Sequence, residues 1–281
     1  MATPGKDFTA TTAFTNDATE AVTSARTTLR LPSGWTAKAL TPATYASVAP
    51  RQTVTARWSV TVPAGAAGGS AAVTATTRYT GSDHRPAASG TANVSIAYPD
   101  LAAAFNAVAV SDDANPAAGN FDGSGYSYSA QALASAGVTA GGPIGGFTWP
   151  SAAPGQPDVV TAQGQVILQG GSGPALAFLL AGTSSLQSGT VTVTYTDGTT
   201  SSGTVTAPDW YNNAAAPGSA LVVTTPHWNR PAGSTLPADH QVSLYSSSVP
   251  LTAGKTVAYL TLPSNSGLHV FATAVSPPTA R

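Results

Sequence analysis

The sequence contains very little charge and no cysteine. Only 8% of its 281 residues are charged, which is about a third of the usual share in soluble domains. The formal net charge is −1 and the Lys and Arg residues are spread along the chain, which argues against nucleic acid or an anionic membrane as a partner. The absence of cysteine excludes disulfides, thiolate metal ligands and cysteine nucleophiles, and it is consistent with a secreted protein that does without disulfides.

Long apolar runs are also missing. No stretch of 18 apolar residues is present, so we expect a soluble chain without a membrane span. The start, MATPGKDF, is typical of an engineered or truncated beginning, so we expect a piece of something longer. The four histidines show neither HxH nor HExxH spacing, and GxSxG is absent, so we interpret the histidines as surface residues or as satisfied strand residues.

Apolar and polar residues alternate with a period of two along most of the sequence, and this pattern predicts an all-β fold. The stretch QTVTARWSVTVP places apolar residues near one face of a strand, namely Val54, Ala56, Trp58, Val60 and Val62. Together with the following AAVTATTRYT and TANVSIAYP, it predicts an immunoglobulin-like sandwich over residues 1–99.

A second sandwich is predicted over residues 100–281. Its clearest signal is SGTVTVTYTDGTTSSGTVTAP, in which two alternating runs meet at Asp197-Gly198, a strong hairpin signature. Further short strands recur about every ten residues with Gly, Pro and Asn between them, which favours a jelly-roll or galactose-binding-like sandwich. The only tempting helix, SAQALASAG, is short.

The first segment resembles the NEW domain associated with α-galactosidases, an immunoglobulin-like module of secreted glycosidases. The resemblance covers most of residues 3–98 and rests on TNDATEAVTSARTTLRLPSGWTA, VAPRQTVTARWSVTVPAGAAGG and VTATTRYT. Its most specific parts are the Leu31-Pro32-x-Gly34-Trp35 step and Val62-Pro63. The resemblance implies a module without chemistry of its own, in which Trp35 closes one end of the sandwich.

The second segment resembles a module that trails the catalytic domain in secreted actinobacterial glycoside hydrolases, including α-mannosidase-like enzymes. This resemblance covers about residues 104–275 and rests on SDDANPAAGNFDGSGYSYSAQALASAG, FTWPSAAPGQPDVVTAQGQ and VTYTDGTTSSGTV. It implies a non-catalytic role, in which the module binds sugar or contacts the enzyme, and a secreted location.

Two loops of the second domain offer the groups that recognise a sugar. The loops PDWYNN and TPHWNRPAG supply Asp209, Trp210, Tyr211, Asn212, Asn213, His227, Trp228, Asn229 and Arg230. A sugar places its apolar face on an aromatic ring while polar groups meet its hydroxyls. The loops therefore form a candidate carbohydrate site, which requires Trp210 or Trp228 to face solvent. The two tryptophans are equally explained as core residues of the sandwich, and their burial would indicate a purely structural module.

Acidic residues raise two further hypotheses. Asp112, Asp113 and Asp122 precede the first strand pair and are weak candidates for a structural calcium site, although they do not form an EF-hand motif and are equally explained as loop and turn residues. A self-sufficient glycosidase would need two carboxylates facing one cleft, for which Asp209 near Asp122 or Asp239 is the test. Asp197 is better explained by a turn, and Asp158 by a loop.

These observations favour two tandem β-sandwiches that act as a non-catalytic accessory region of a secreted glycoside hydrolase. The expected partners are carbohydrate and a catalytic glycosidase domain, and no cofactor is required beyond the candidate calcium. The alternatives are a structural spacer without ligand and, more remotely, a glycosidase that uses paired Asp residues.

Overall fold

The computed structural model describes residues 1–81 and 87–276 and consists of two compact units, Met1–Tyr98 and Pro99–Arg281. Both units are built almost entirely from β-strands, which confirms the predicted all-β class. No helix in the described part of the chain has the length and hydropathy to cross a membrane.

The first unit is a sandwich of two antiparallel sheets. One sheet has the strand order β1-β5-β3 and the other β4-β2-β6-β7. The strands are β1 (Asp7–Thr15), β2 (Val22–Arg30), β3 (Thr36–Ala39), β4 (Thr44–Val48), β5 (Thr53–Thr61), β6 (Gly69–Thr80) and β7 (Ala87–Ile96). This arrangement is consistent with the predicted immunoglobulin-like sandwich.

The predicted alternation of strand β5 explains the core of this unit. Ala56, Trp58 and Val60 are buried on one face of the strand, while Arg57 between them is exposed and Ser59 is half-buried. Trp35 is also buried and meets Phe8 edge-on at a centroid distance of 6.1 Å. Burial of these rings and branched side chains removes apolar surface from water, which is the main stabilising contribution to a small sandwich.

The described part of the second unit contains fourteen strands, one short α-helix and two 3-10 helices, Ala102–Ala104 and Pro116–Ala118. Its elements are β8 (Val110–Ser111), β9 (Ser127–Ser129), α1 (Ala130–Ser135), β10 (Pro143–Ile144), β11 (Phe147–Thr148), β12 (Val160–Gln163), β13 (Val166–Leu168), β14 (Ala175–Gly182), β15 (Gln187–Tyr195), β16 (Thr200–Ala207), β17 (Ser219–Thr225), β18 (Trp228–Asn229), β19 (Val242–Pro250), β20 (Val257–Thr261) and β21 (Ser264–Ser276). The helix is the short one expected from SAQALASAG, and the Ser129 side chain caps it by accepting the Ala132 N–H.

The two large sheets of this unit have jelly-roll topology. The strand orders are β12-β21-β14-β19-β17 and β13-β20-β15-β16. If β17 is set aside as an added edge strand, the remaining eight strands alternate between the sheets as 1-8-3-6 and 2-7-4-5, the order produced by two nested Greek keys. The jelly-roll prediction is confirmed.

The five-stranded sheet is buried on both of its faces. On strand β14, Leu179 and Ala181 belong to a cluster that includes Phe121 and Trp149 from the segment preceding the jelly roll. Phe178, which points the other way because side chains alternate along a strand, is also fully buried. Residues 101–159 therefore form an additional layer over the outer face of this sheet.

Candidate functional site

The two loops predicted to hold a carbohydrate site do meet in the fold. The Trp210 and Trp228 ring centroids are 5.7 Å apart, and Tyr211 lies 5.5 Å from Trp228. Main-chain hydrogen bonds hold the first loop in place. The Trp210 N–H donates to Gly182 O, and Trp210 O accepts the Ser243 N–H. The second loop is fixed by β18, in which Trp228 pairs with Tyr128 of β9.

Both tryptophans are nevertheless buried, as the core interpretation expects and contrary to what a carbohydrate site at these loops requires. Trp210 is 2% exposed and Trp228 is 4% exposed. Trp210 contacts Phe121 and Tyr128 at 4.9 Å each, while Tyr126 stacks on Trp228 at 4.4 Å. The added layer of residues 101–159 supplies these rings, so neither indole has a free face on which a sugar could stack.

The polar groups of the first loop are engaged by other groups of the protein. Asp209 Oδ1 accepts the Tyr211 N–H at 3.0 Å, and the exposed Asn212 donates its N–H to Asp209 O at 3.2 Å. Asn213 donates to Gln241 O and accepts the Ser243 hydroxyl at 2.7 Å. The ring of Tyr211 is stacked on His240 at 3.7 Å. Asp209 is therefore a turn residue, while Tyr211 and Asn213 connect the loop to residues 240–243.

The polar side chains of the second loop are likewise engaged with the protein. Asn229 is buried and donates to both Ser111 O and Ser111 Oγ, at 3.0 and 2.9 Å. Arg230 donates to Ser234 O and Leu236 O of the following turn. His227 Nε2 lies 3.1 Å from Asp113 Oδ2. The arrangement holds the loop in place and does not present a set of free polar groups around a shared cavity.

The three acidic candidates for calcium are each engaged in contacts with other groups of the protein. Asp112 interacts with the Ala114 N–H and the Gln131 side chain, which lower its pKa. Asp113 accepts the Ser129 hydroxyl and meets His227. Asp122 accepts two N–H groups of its own turn, as the turn interpretation predicts. Residues 1–81 and 87–276 contain no group of three His, Asp or Glu side chains arranged to hold a metal, so the calcium hypothesis is not supported by the geometry.

Asp158 is a buried acid whose environment the sequence did not reveal. Its side chain is 3% exposed, and its two oxygens accept the Ala109 and Val110 N–H groups at 2.7 and 3.0 Å. Burial raises the pKa of Asp158 to about 7, while the N–H groups oppose this shift. The carboxyl group borders a cavity of about 80 Å³ lined by Leu133, Trp149 and neighbouring residues. The only sequence signal is an acid in PGQPDVV, directly before a buried strand.

His269 is a buried histidine. Its ring nitrogens lie 3.2 Å from Thr161 Oγ1 and 3.3 Å from Thr183 Oγ1, and Phe121 packs against it at 4.5 Å. Burial lowers the pKa of His269 to about 4. The residue is a satisfied strand histidine, as the sequence interpretation proposed, whereas His84 lies outside the described residues.

Comparison with family models finds two matches. Residues 2–80 match the NPCBM-associated, NEW3 domain of alpha-galactosidase, and residues 95–279 match the AziU2-like beta-sandwich domain. The two-part description derived from the sequence is thereby confirmed, with a NEW-type domain followed by a second β-sandwich. No curated protein matches the chain.

Two solved structures show weak similarity. The secreted serine protease VesC from Vibrio cholerae is 10% identical with a TM-score of 0.31, over 99% of this chain and 49% of the protease. The chain thus spans about half the length of that protein. The E. coli chaperone DraB is 10% identical with a TM-score of 0.24, over 89% of this chain and 91% of the chaperone. Neither similarity is close enough to inform the function.

Proposed function

This chain belongs to the AziU2-like β-sandwich domain family, and we propose that it is a non-catalytic accessory region that orients the catalytic domain of a glycoside hydrolase. The NEW3 match over residues 2–80 supports the association, since that domain is named for α-galactosidase. We propose further that the enzyme is secreted and actinobacterial, on the basis of the sequence resemblance and the absence of cysteine.

The burial of Trp210 and Trp228 is the observation that favours an orienting role rather than sugar binding at these loops. Their 2% and 4% exposure leaves the aromatic groups committed to the core, where they join the added layer to the jelly roll. A rigid sandwich whose loops are fixed by internal contacts is suited to holding a neighbour in one orientation.

A self-sufficient glycosidase is not favoured by the cavities of the second unit. One cavity of about 500 Å³ has a single carboxylate, Asp100, in its wall, and the cavity of about 80 Å³ has only Asp158. Cleavage of a glycosidic bond ordinarily needs two carboxylates about 5–10 Å apart in the same cleft. Asp209, the strongest sequence candidate, accepts an N–H group of its own turn.

A domain-replacement experiment tests the proposal. An α-galactosidase that carries a NEW3 domain is prepared in three forms: intact, with that domain deleted, and with the whole present chain in its place. If the chain orients a catalytic domain, the replacement should restore the thermal midpoint and the kcat/KM lost on deletion. The free chain should hydrolyse none of a panel of aryl glycosides.

Two results would count against this function. A replacement enzyme that behaves like the deleted enzyme would indicate a spacer without an orienting role. Hydrolysis of an aryl glycoside by the free chain, abolished by Asp209→Asn or Asp158→Asn in a folded protein, would restore the enzyme hypothesis.

A further inference from the structure

The fold brings arginines together that are far apart in the sequence. In the first unit, Arg26 of β2 pairs directly with Arg78 of β6, and Arg30 lies opposite Thr74 on the same pair of strands. Residues opposite each other in a sheet share a face, with Cβ atoms about 5 Å apart. Arg30 follows Arg26 by four residues and lies about 13 Å further along the strand. All three arginines are exposed, and we call them the arginine face.

The arginine face is not neutralised within the described part of the chain. In that part of the first unit, the ion pair formed is Arg51–Asp17, which involves none of the three. Like charges directly opposite in a sheet are destabilising, so Arg26 and Arg78 are placed unfavourably for folding. Such a placement is typical of a surface that meets an anionic partner.

The distribution of charge along the chain agrees with this. Residues 1–98 contain eight Lys and Arg against four Asp and Glu, a net charge of +4. Residues 99–281 contain three against eight, a net charge of −5. The overall net charge of −1 therefore conceals a basic first unit, and charge asymmetry of this kind is a sign of an electrostatic partner.

A groove of about 690 Å³ adjoins the arginine face, and Arg26 lines it. Its apolar lining includes Leu29, Leu31, Trp35 and Trp58, and Thr28, Thr36 and Thr44 add hydroxyl groups. The volume is within the range of about 300–1,000 Å³ seen for ligand sites. A groove with an apolar floor, several hydroxyls and one cation can hold a sugar ring whose carboxylate meets the cation.

We propose that the groove and the arginine face bind a polyanionic polysaccharide whose sugars carry carboxylates. One sugar occupies the groove with its carboxylate on Arg26, and carboxylates of neighbouring sugars reach Arg78 and Arg30. Arginine suits this role because its planar guanidinium pairs bidentately with a carboxylate. The inference goes beyond the proposed orienting function and does not depend on it.

The character of the arginine face favours a polysaccharide over a protein. Between the arginines lie Thr28, Thr74 and Thr76, with Ser89 and Thr91 on the neighbouring strand β7. Protein interfaces are centred on buried aromatic or large apolar anchors, and the exposed large apolar residues of the described chain lie elsewhere, at Met1, Leu40, Leu186, Leu221 and Leu236. Hydroxyl rows with flanking cations instead match a hydrated, acidic glycan.

Calorimetric titration of the full chain with polygalacturonate tests the proposal. Fully methyl-esterified polygalacturonate is the matched control, since it keeps the sugar backbone and removes the charge. We expect binding to the acid form at 50 mM NaCl, at least tenfold weaker binding to the ester, and a marked loss of affinity at 300 mM NaCl.

Three variants separate the site from general charge attraction. The double variant Arg26→Gln/Arg78→Gln should lose at least tenfold in affinity while its thermal midpoint is unchanged or higher. Arg57→Gln removes a cation from the other sheet, where Arg57 faces Thr11, and should change affinity less than twofold. Ala37→Trp fills the groove without changing charge and should weaken binding to a similar extent as the double variant.

Several results would overturn the inference. These are absence of binding, equal binding of acid and ester forms, and an Arg57→Gln loss equal to that of the double variant. Unchanged binding by a folded Ala37→Trp variant would remove the groove from the site. Tighter binding of a DNA duplex than of polygalacturonate at the same salt would assign the surface to phosphate polymers. None of these outcomes bears on the domain-replacement experiment.

Discussion

At the scale of single residues, Asp158 shows how a buried acid is retained in a fold with little charge. Its two oxygens join the loop before β12 to the N–H groups of Ala109 and Val110. The carboxylate satisfies two main-chain donors that would otherwise be buried without partners, and an unsatisfied donor costs about 1–3 kcal/mol. The cost of desolvating the acid appears instead as its raised pKa of about 7.

We predict that Asp158→Asn lowers the free energy of unfolding by about 1–3 kcal/mol at pH 7, because the amide replaces one acceptor with a donor that faces an N–H group. Urea denaturation at pH 7 measures this change. Asp122→Asn, at a half-buried turn whose acceptor Oδ1 the amide can reproduce, is the control and should cost less than half as much. Equal effects at the two positions would contradict the role assigned to Asp158.

Asp158 and His269, the buried acid and the buried histidine of the described chain, give opposite pH dependences. The pKa of Asp158 is raised from 3.8 to about 7, so the folded state holds its proton more tightly and the stability from this group declines as pH rises from 4 to 7. The pKa of His269 is lowered from 6.5 to about 4, so the stability from this group is complete above pH 6.5 and is lost as pH falls to 4.

We therefore predict that the two slopes largely cancel in the wild type between pH 4.5 and 6.5. The variant His269→Gln should leave a protein whose unfolding free energy falls with rising pH, and Asp158→Asn should leave one whose unfolding free energy rises. Urea denaturation across this range measures the slopes. Identical slopes in the two variants would show that neither group titrates as the structure indicates.

At the scale of elements, the sequence predicted correctly those features that depend on neighbouring residues alone, such as a hairpin turn. The hairpin between β15 and β16 was predicted from Asp197-Gly198, and the structure confirms it with Gly198 at a φ of 83°. Asp197 accepts the Thr199 hydroxyl and the Thr199 N–H and pairs with Lys255 at 3.0 Å, and these contacts lower its pKa to about 2. All but the Lys255 contact lie within the turn, so a short window of sequence contains the information.

We predict that Gly198→Ala lowers the free energy of unfolding by about 1 kcal/mol, because a residue with a Cβ is disfavoured at positive φ. No atom lies within 4 Å of the added Cβ, so the effect would be conformational rather than steric. Gly90→Ala is the matched control, since Gly90 lies in β7 without positive φ and also has open space; it should be neutral or stabilising by about 0.5 kcal/mol. Equal losses at both positions, measured by thermal denaturation, would contradict this account.

At the scale of the whole molecule, the features that the sequence left open depend on contacts between distant segments. The polar neighbours in PDWYNN and HWNR left both an exposed and a buried position open for the two tryptophans. Phe121, Tyr126 and Tyr128, from about 90 residues earlier in the chain, cover them. The pairing of Arg26 with Arg78 depends in the same way on strand register across 52 residues. The alternation of apolar and polar residues predicts the strands and the class of sandwich. It does not predict that residues 101–159 cover the outer face of the five-stranded sheet.

The final prediction concerns the role of Trp210 in the second unit. If Trp210 is a core residue, Trp210→Ala should cost about 3–5 kcal/mol because it leaves a large cavity among packed rings. The cluster around Trp210 draws its members from residues 107–274 and the cluster around Trp58 from residues 2–96. Hydrogen exchange should therefore rise in peptides of residues 99–276 for Trp210→Ala and in peptides of residues 1–81 for Trp58→Ala. A Trp210→Ala protein with wild-type exchange and stability would show that the indole is dispensable for packing, and it would reopen the carbohydrate site predicted at this loop.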